Sequence, residues 1–252
     1  MKTVSPKDTQ VEILLNQLKL KAFVQNHEDI QTQAVENTWS YAKYLSKLCE
    51  LEVSRRYQNR VKRWAVESRL PAGKSFATFK IQDLPAKVAS NITQLQENTD
   101  WVSLYENILL LGPSGVGKSH IAAALGQHLI ESNIRVKWFN ANDLLQQLQH
   151  HKKELQLMKY LSQLDKYRTI IVDDIGYIKK TESESSVLFE FIAHRYESGS
   201  LIITSNQAFS QWDQIFPDNM MTVAAIDRLI HHASVIEIDT ESYRKKNHKA
   251  IR

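Results

Sequence analysis

The sequence predicts an α/β fold in which a five-stranded parallel sheet, flanked by helices, follows a smaller helical region. Residues 107–119 read as an apolar strand, a glycine-rich turn and the start of a helix. Further apolar, strand-like runs alternate with helical segments, which is typical of a parallel sheet. These runs lie at 135–140, 169–174, 200–206 and 234–239. Residues 8–69 contain no glycine or proline, so we divide the chain into a helical domain at 1–70 and an α/β domain at 71–252.

The composition is that of a soluble globular protein. Of the 252 residues, 42% are hydrophobic and 24% are charged, which is ample for a core. The net charge of +4 is small, so only the distribution of charge can identify a nucleic-acid surface. Cys49 is the single cysteine, which excludes an internal disulfide and a cysteine zinc site and favours a reducing, cytoplasmic location. Neither an 18-residue apolar run nor an export leader is evident, so we expect no membrane contact.

The helical region ends in a cationic stretch, RRYQNRVKR at 55–63, which contains no acidic residue. Before it, apolar residues such as Leu14, Leu18 and Ala22 recur at helical spacing. A cationic helix suits the DNA phosphate backbone, which gives affinity without reading sequence. A solvated helix face is the alternative interpretation of such a charge run. The candidate DNA-binding residues are Arg55, Arg56, Arg60, Lys62 and Arg63.

Pro71-Ala72-Gly73 ends this region and begins a linker. Phe76 and Phe79 follow, and aromatic residues that lead into a nucleotide site either pack near the base or belong to the core. Both interpretations remain open for this pair. A helix around 87–96 then leads to the first strand.

The turn after the first strand has the spacing G-x-x-x-x-G-K-S, between a strand and a helix. Its glycines allow successive backbone N–H groups to point inward and form a nest for phosphate oxygens at the positive end of the helix. We expect Lys118 to neutralise the β- and γ-phosphates of ATP and the Ser119 hydroxyl to bind Mg²⁺. The candidate nucleotide-binding residues are Gly112, Pro113, Ser114, Gly115, Val116, Gly117, Lys118 and Ser119, together with Asp173.

A helix capped by Asn142 or Asp143 is expected after the second strand. Residues 149–168 are polar and lysine-rich. The neighbouring His150 and His151 raise the question of a metal site, but no third ligand stands at a suitable spacing. A solvated or DNA-facing surface is the preferred interpretation.

The run TIIVDD at 169–174 ends in two carboxylates. In an ATPase with a phosphate loop, Asp173 would bind Mg²⁺ and Asp174 would orient or deprotonate the attacking water. The alternative is a helix cap beside a solvated acid. Asn206, at the end of the SLIITSN strand, is a candidate for contacting the γ-phosphate and the water, or is simply a residue that favours a turn.

Helices are expected at 182–197 and 221–232, the second of which contains Asp227-Arg228-Leu229. The chain closes with the last strand and a basic segment, 243–252, that lacks acids.

The order of these motifs is similar to that of AAA+ ATPases. More closely, LLGPSGVGKSHIAAALG, IIVDDIGYI, LFEFIAHRYESGSLIITSNQ, AAIDRL and ESYR resemble the IstB family of insertion-sequence transposition helpers, which are relatives of DnaC-type helicase loaders. The resemblance implies that Asp173 is the magnesium residue, Asp174 the catalytic acid and Asn206 the sensor of the γ-phosphate. It also implies that Arg228 is the finger offered to a neighbouring subunit, with Arg195 as a second candidate.

The AAA+ resemblance also raises an expectation about the C-terminus. Thirteen residues after the last strand cannot form the helical lid of an ordinary AAA+ protein. The expected fold therefore lacks that lid, and Arg244 is a weak substitute for the arginine that a lid provides.

The resemblance implies an ATPase that assembles as a homo-oligomer on duplex DNA and marks that DNA for its cognate transposase. The alternative is a loader that acts on a replicative helicase. A basic N-terminal helix favours DNA, whereas a loader is expected to present an apolar or acidic helical face.

Overall fold

The computed structural model describes residues 6–176, 181–208, 211–212 and 220–240. They form two compact units, Met1–Arg63 and Trp64–Arg252. The predicted domain division after residue 70 stays a prediction. The expectations for the basic segment 243–252, for Arg244 and for a missing lid concern residues outside those described.

The first unit is helical, as predicted. It contains α1 (Pro6–Gln17), α2 (Lys21–Glu36) and most of α3 (Tyr41–Ser68). A small core of Phe23, Ile30 and Leu48 holds the helices together. Leu14 and Leu18 are not part of it, because 51% and 66% of their surfaces are exposed. None of the described helices is both long and apolar enough to cross a bilayer.

The second unit begins with short elements before the sheet. A 3₁₀ turn at Ile81–Asp83 leads to α4 (Ala86–Glu97) and the single turn α5 (Asp100–Ser103). Val88 and Ile92 are the buried residues of α4. This amphipathic segment agrees with the helix predicted around 87–96.

The sheet has five parallel strands in the order β2-β3-β4-β1-β5, which confirms the predicted fold class. The strands are β1 (Asn107–Leu111), β2 (Val136–Asn140), β3 (Thr169–Asp173), β4 (Ser200–Ser205) and β5 (Ala233–Glu237). Every residue of β1 and β4 is buried. Continuous apolar runs are expected where both faces of a parallel strand are covered. Leu111 pairs with Ser205, so the two central strands end together.

Five further helices complete the described chain. They are α6 (Lys118–Glu131), α7 (Ala141–Lys153), α8 (Leu157–Leu164), α9 (Glu182–Arg195) and α10 (Met220–His231). Helix α8, whose Leu157, Leu161 and Leu164 are buried, was not predicted. The expected cap of α7, Asn142 or Asp143, was wrong by two or three residues, because the cap is Asn140, whose side chain accepts a hydrogen bond from the Asn142 N–H.

Candidate functional site

A cleft of about 490 Å³ opens at the carboxyl ends of the central strands. Ligands of open parallel sheets bind at this edge, and the volume suits a small molecule. Gly112, Pro113 and Asp173 stand at the ends of β1 and β3 without lining the cleft. Its lining includes Phe79, Lys118, Ser119, Asp174, Thr204 and Asn206.

The glycine-rich turn between β1 and α6 forms one wall of the cleft. Gly112, Gly115 and Gly117 have φ values of +142°, +88° and +102°, which other residues adopt only with strain. The carbonyl of Gly117 accepts the N–H groups of His120 and Ile121, both at 2.9 Å, and so begins α6. The first N–H groups of a helix have no partner within it, so they give this wall an anion-binding end.

Gly112 is the first residue of this turn, and hydrogen bonds hold it and its neighbour Leu111 in place. Its N–H donates to the Ser205 carbonyl at 3.3 Å, while the N–H of Ile238 donates to the Leu111 carbonyl at 2.8 Å. A Cβ atom on Gly112 would overlap the carbonyl oxygen of Ile238. The turn is therefore held between β4 and the chain that leaves β5, at a position that only glycine fits.

The Lys118 ammonium is held inside the turn. Its Nζ donates to the carbonyl oxygens of Gly112 at 2.7 Å and Pro113 at 2.8 Å, and only 8% of the residue is exposed. A cation is thus placed beside the N–H groups of the turn, and the two together favour a polyanionic ligand.

Asp173 and Asp174 are joined to β4 by Thr204. The Thr204 hydroxyl donates to Asp173 Oδ1 at 2.6 Å and accepts from the Asp174 N–H at 2.9 Å. Asp174 has a left-handed backbone, with φ of +67°. Sequence reasoning missed Thr204, although its place two residues before Asn206 was a signal.

Asn206 follows β4 and lines the cleft. Its Oδ1 is buried and has no hydrogen-bond partner among the described residues. Buried polar atoms are normally satisfied by a partner, so an unsatisfied one calls for an explanation such as a ligand or water. The amide is therefore available to a group that enters the cleft.

Phe79 lies against the phosphate turn. Its ring is 2.9 Å from the position that a Cβ on Gly117 would occupy, and its centroid is 5.0 Å from that of the His120 ring. His120 Nε2 also lies 3.2 Å from the Thr78 hydroxyl and 3.1 Å from the Ser75 carbonyl oxygen. Phe79 thus lines the cleft beside the phosphate turn and Phe76 does not, and packing of Phe79 near the base stays a prediction.

The two finger candidates have different surroundings. Arg195 is 1% exposed, and its Nη2 donates to the carbonyl oxygens of Tyr167 and Arg168, both at 3.0 Å. Burial lowers its pKa to about 10, so it stays charged at neutral pH while supporting the fold. Arg228 is exposed on α10. We therefore retain Arg228 as the candidate finger.

Arg228 lies at the far end of the strand that leads into the phosphate turn. The carbonyl of its neighbour Leu229 accepts a hydrogen bond from the Asn107 side chain at 3.0 Å, and Asn107 is the first residue of β1. Gly112 directly follows the last residue of β1. At about 3.3 Å per residue, it therefore lies about 16 Å from Asn107. Arg228 is thus remote from the phosphate turn of its own chain.

The basic stretch on α3 is partly neutralised by an acid one turn earlier. Glu52 is 4% exposed and accepts hydrogen bonds from Arg55, from Arg56 at 2.7 Å and from the Ala22 N–H at 2.8 Å. The Arg55 hydrogen bond, above all, lowers the Glu52 pKa to about 2. Lys62 and Arg63 are exposed. They are therefore better placed than Arg55 and Arg56 to meet DNA.

The His150–His151 pair gains no third ligand among the described residues. Among the described residues, the only three potential metal ligands whose ligand atoms lie close together are Glu12, His27 and Glu28. His151 instead stacks on Tyr160, with ring centroids 4.2 Å apart. His150 is exposed and His151 is half-buried, and the interpretation of the pair as a solvated or DNA-facing surface stays a prediction.

Solved structures share this fold at low sequence identity. AMPPCP-bound DnaA from Aquifex aeolicus matches 73% of this chain and 55% of that chain with a TM-score of 0.57 at 19% identity. A DnaC helicase loader matches 73% of this chain and 99% of that chain with a TM-score of 0.53 at 18% identity. The chain accordingly shares the fold of these two proteins.

Sequence comparisons give the family. An insertion-sequence ATP-binding protein of Sinorhizobium fredii is 40% identical over 240 residues, which cover 95% of this chain and 80% of the relative. The ATP-binding protein of insertion sequence IS232 from Bacillus thuringiensis subsp. berliner is 34% identical over 244 residues, which cover 95% of each. The model of the IstB-like ATP binding proteins matches residues 13–250, and the chain therefore belongs to that family.

Proposed function

We propose that this chain is a Mg²⁺-dependent ATPase that assembles on duplex DNA and helps the transposase of an insertion sequence. The observation that carries the ATPase part is the convergence of Lys118, Asp174 and Asn206 on one cleft. Membership of a family of ATP-binding proteins identifies the polyanion that fits this cleft as ATP.

Each residue of the cleft has a chemical role in this proposal. The N–H groups of the turn and Lys118 bind the phosphates, and the Asn206 amide contacts the γ-phosphate and the attacking water. Asp174 orients that water and accepts its proton. Ser119 and Asp173 offer the oxygen ligands that Mg²⁺ prefers. Bound Mg²⁺ would neutralise charge that develops on the phosphates.

Arg228 completes the site of a neighbouring subunit in this proposal. Its exposure and its distance from its own phosphate turn support action between subunits. A cation that stabilises charge on the transferred phosphoryl group raises the rate strongly and contributes little to the fold of its own chain. ATP would therefore favour a homo-oligomer.

The DNA contact is assigned to the cationic stretch of α3, chiefly to Lys62 and Arg63. These are phosphate-binding side chains, and no base-reading motif accompanies them, so binding should be weakly sequence-selective and sensitive to salt. A single exposed cysteine, Cys49, agrees with a cytoplasmic location, where such DNA is available.

The transposase is proposed as the partner because the relatives above are named as insertion-sequence proteins. One observation favours the alternative, a loader of a replicative helicase. Val11 and Leu14 on α1 and Leu18 just after it are each between 46% and 66% exposed, and exposed apolar surfaces mark protein contacts. The same face would also serve a transposase, so the two partners must be separated by experiment.

The experiment measures binding of the full chain to a fluorescent DNA duplex with ATP, with ADP and without nucleotide. ATP should strengthen binding, and Lys118→Ala should abolish this gain. Addition of the transposase should then increase strand transfer, whereas a replicative helicase should not be loaded onto single strands. Equal DNA binding in all three nucleotide states would contradict the proposed assembly, and helicase loading without any effect on the transposase would support the alternative.

A further inference from the structure

We propose that Thr204 is a positioning residue, whose hydroxyl sets the orientation of both Asp173 and Asp174. This inference rests on the proposed ATPase function, because it concerns the acids of that site. The hydroxyl lies on β4 and reaches across to the end of β3.

Thr204 holds the last residue of β3, Asp173, and the two residues that follow it. Its hydroxyl donates to Asp173 Oδ1 at 2.6 Å and accepts from the Asp174 N–H at 2.9 Å. Its carbonyl accepts the N–H of Ile175 at 3.0 Å. Thr204 is 1% exposed, so water does not compete strongly for these bonds.

The hydrogen bonds of the Thr204 hydroxyl with Asp173 and Asp174 lie just beyond the regular pairing of β3 with β4. The register of β3 with β4 ends at Val172 opposite Ile203. Beyond that pair, Asp174 turns into a left-handed conformation with φ of +67°, which is unfavourable for a residue with a side chain. The hydroxyl of Thr204 replaces the missing ladder contact and holds this conformation.

A hydroxyl group has a single proton, and this decides in which of its two hydrogen bonds Thr204 is the donor. Because the Asp174 N–H is a donor, the hydroxyl accepts there, and its own proton goes to Asp173. One carboxylate oxygen of Asp173 is thereby fixed, and the other is left for a metal ion. The same contact fixes the backbone from which the Asp174 side chain leaves. One hydroxyl thus couples the metal-binding acid to the acid that orients water.

Nearby hydroxyl groups show that this arrangement is specific to Thr204. Ser205, the next residue, accepts locally from the Gln207 N–H at 3.2 Å. Thr169, at the first position of β3, is fully buried, and its hydroxyl has no hydrogen-bond partner among the described residues. Thr169 therefore provides a matched control, since Thr169→Val makes the same chemical change in the same sheet at the opposite end of β3.

The test compares Thr204→Val, Thr204→Ser and Thr169→Val in the full chain. One readout is the affinity for a non-hydrolysable ATP analogue with and without Mg²⁺, which does not depend on turnover. The other is the kcat and KM of ATP hydrolysis at several Mg²⁺ concentrations. Thermal unfolding of each variant shows whether the fold is kept, and Thr204→Ala replaces the valine variant if that one does not fold.

Thr204→Val should lose most of the Mg²⁺-dependent gain in affinity while keeping its metal-free affinity. Its kcat should fall about tenfold or more, as for a lost positioning contact, with KM changed little once Mg²⁺ is saturating. Thr204→Ser should restore both properties, and Thr169→Val should resemble the parent.

Parent-like metal dependence and kcat in Thr204→Val would overturn the inference, as would equal losses in Thr169→Val. Failure of the proposed function has a different signature. In that case Asp174→Asn hydrolyses ATP at the parent rate, or the parent does not hydrolyse it at all, while the effect of Thr204→Val on Mg²⁺-dependent affinity still decides the role of Thr204.

Discussion

Replacement of Gly112 by alanine should disable the nucleotide site while the fold survives. The residue has a φ of +142°, and an added Cβ would overlap the carbonyl oxygen of Ile238 and lie 3.1 Å from its carbonyl carbon. The N–H of the same residue donates to the Leu111 carbonyl, so a shift of Ile238 away from the added Cβ would strain that hydrogen bond. We therefore expect Gly112→Ala to displace the turn itself.

The cost can be estimated from these two contributions. A side chain at a glycine-only φ costs about 1–3 kcal/mol, and overpacking against fixed neighbours costs about 1–3 kcal/mol more. Suppose that about 2 kcal/mol of this cost destabilises the ATP-binding conformation of the turn relative to a displaced one. Only about 1 molecule in 30 then keeps the ATP-binding conformation. The apparent Kd for ATP then rises by the same factor of about 30.

A titration with a fluorescent ATP analogue measures this Kd, with thermal unfolding recorded beside it. Gly73→Ala is the matched control, because Gly73 also has a positive φ of +74° but its Cβ would meet nothing within 4 Å. It should cost about 1–2 kcal/mol of stability and leave the Kd unchanged. Gly112→Ala with the parent affinity, or an equal loss of affinity in Gly73→Ala, would refute the reasoning.

Three further predictions follow from the site and the basic helix. Lys118→Ala should lose ATP binding, whereas Asp174→Asn should keep binding and lose hydrolysis, as measured by titration and phosphate release. Charge reversal of Lys62 and Arg63 should weaken binding to every duplex and flatten the slope of log K against log salt by about 1.8, since each phosphate contact contributes about 0.9. Glu52→Gln should lower the free energy of unfolding by about 2 kcal/mol in urea at pH 7, because it weakens charged hydrogen bonds. Because the Glu52 pKa falls from 4.5 to about 2 on folding, its stabilisation should be complete above pH 4.5 and lost as the pH approaches 2.

Each of these predictions has a control or a contrary result. Asp174→Asn that turns over at the parent rate would remove Asp174 from the mechanism. Reversal of Lys21 and Lys47, which are also on helices of the first unit, should leave the salt slope unchanged. An unchanged slope after reversal of Lys62 and Arg63 would move the DNA contact elsewhere. Equal stability of Glu52→Gln and the parent at pH 7 would mean that Glu52 does not hold Arg55 and Arg56.

The sequence was sufficient where local chemistry determines structure. Residues 107–119 contain a buried strand, glycines at positive φ and a helix start in consecutive order, and each signal is local. The apolar runs of β3 and β4 identify strands for the same reason, since buried parallel strands lack polar alternation.

Other features depend on contacts that sequence order does not show. The three buried leucines of α8 stand in a polar, lysine-rich stretch, and only the tertiary fold decides that they are covered. The role of Thr204 depends on the register of β3 with β4. The neutralisation of Arg55 and Arg56 could have been predicted from the sequence, because Glu52 precedes them by three and four residues on one helix face.

The most direct test of ATP-driven assembly is the ATPase rate of mixed oligomers on DNA. Arg228→Ala lacks the finger but keeps its acid, and Asp174→Asn lacks the acid but keeps its finger, so each alone should be nearly inactive. In a random 1:1 mixture about a quarter of the interfaces combine an intact acid with an intact finger from the neighbour, so the rate should rise to about a quarter of the parent rate. No recovery at any ratio, in mixtures shown to form mixed oligomers, would mean that Arg228 does not complete a neighbouring site.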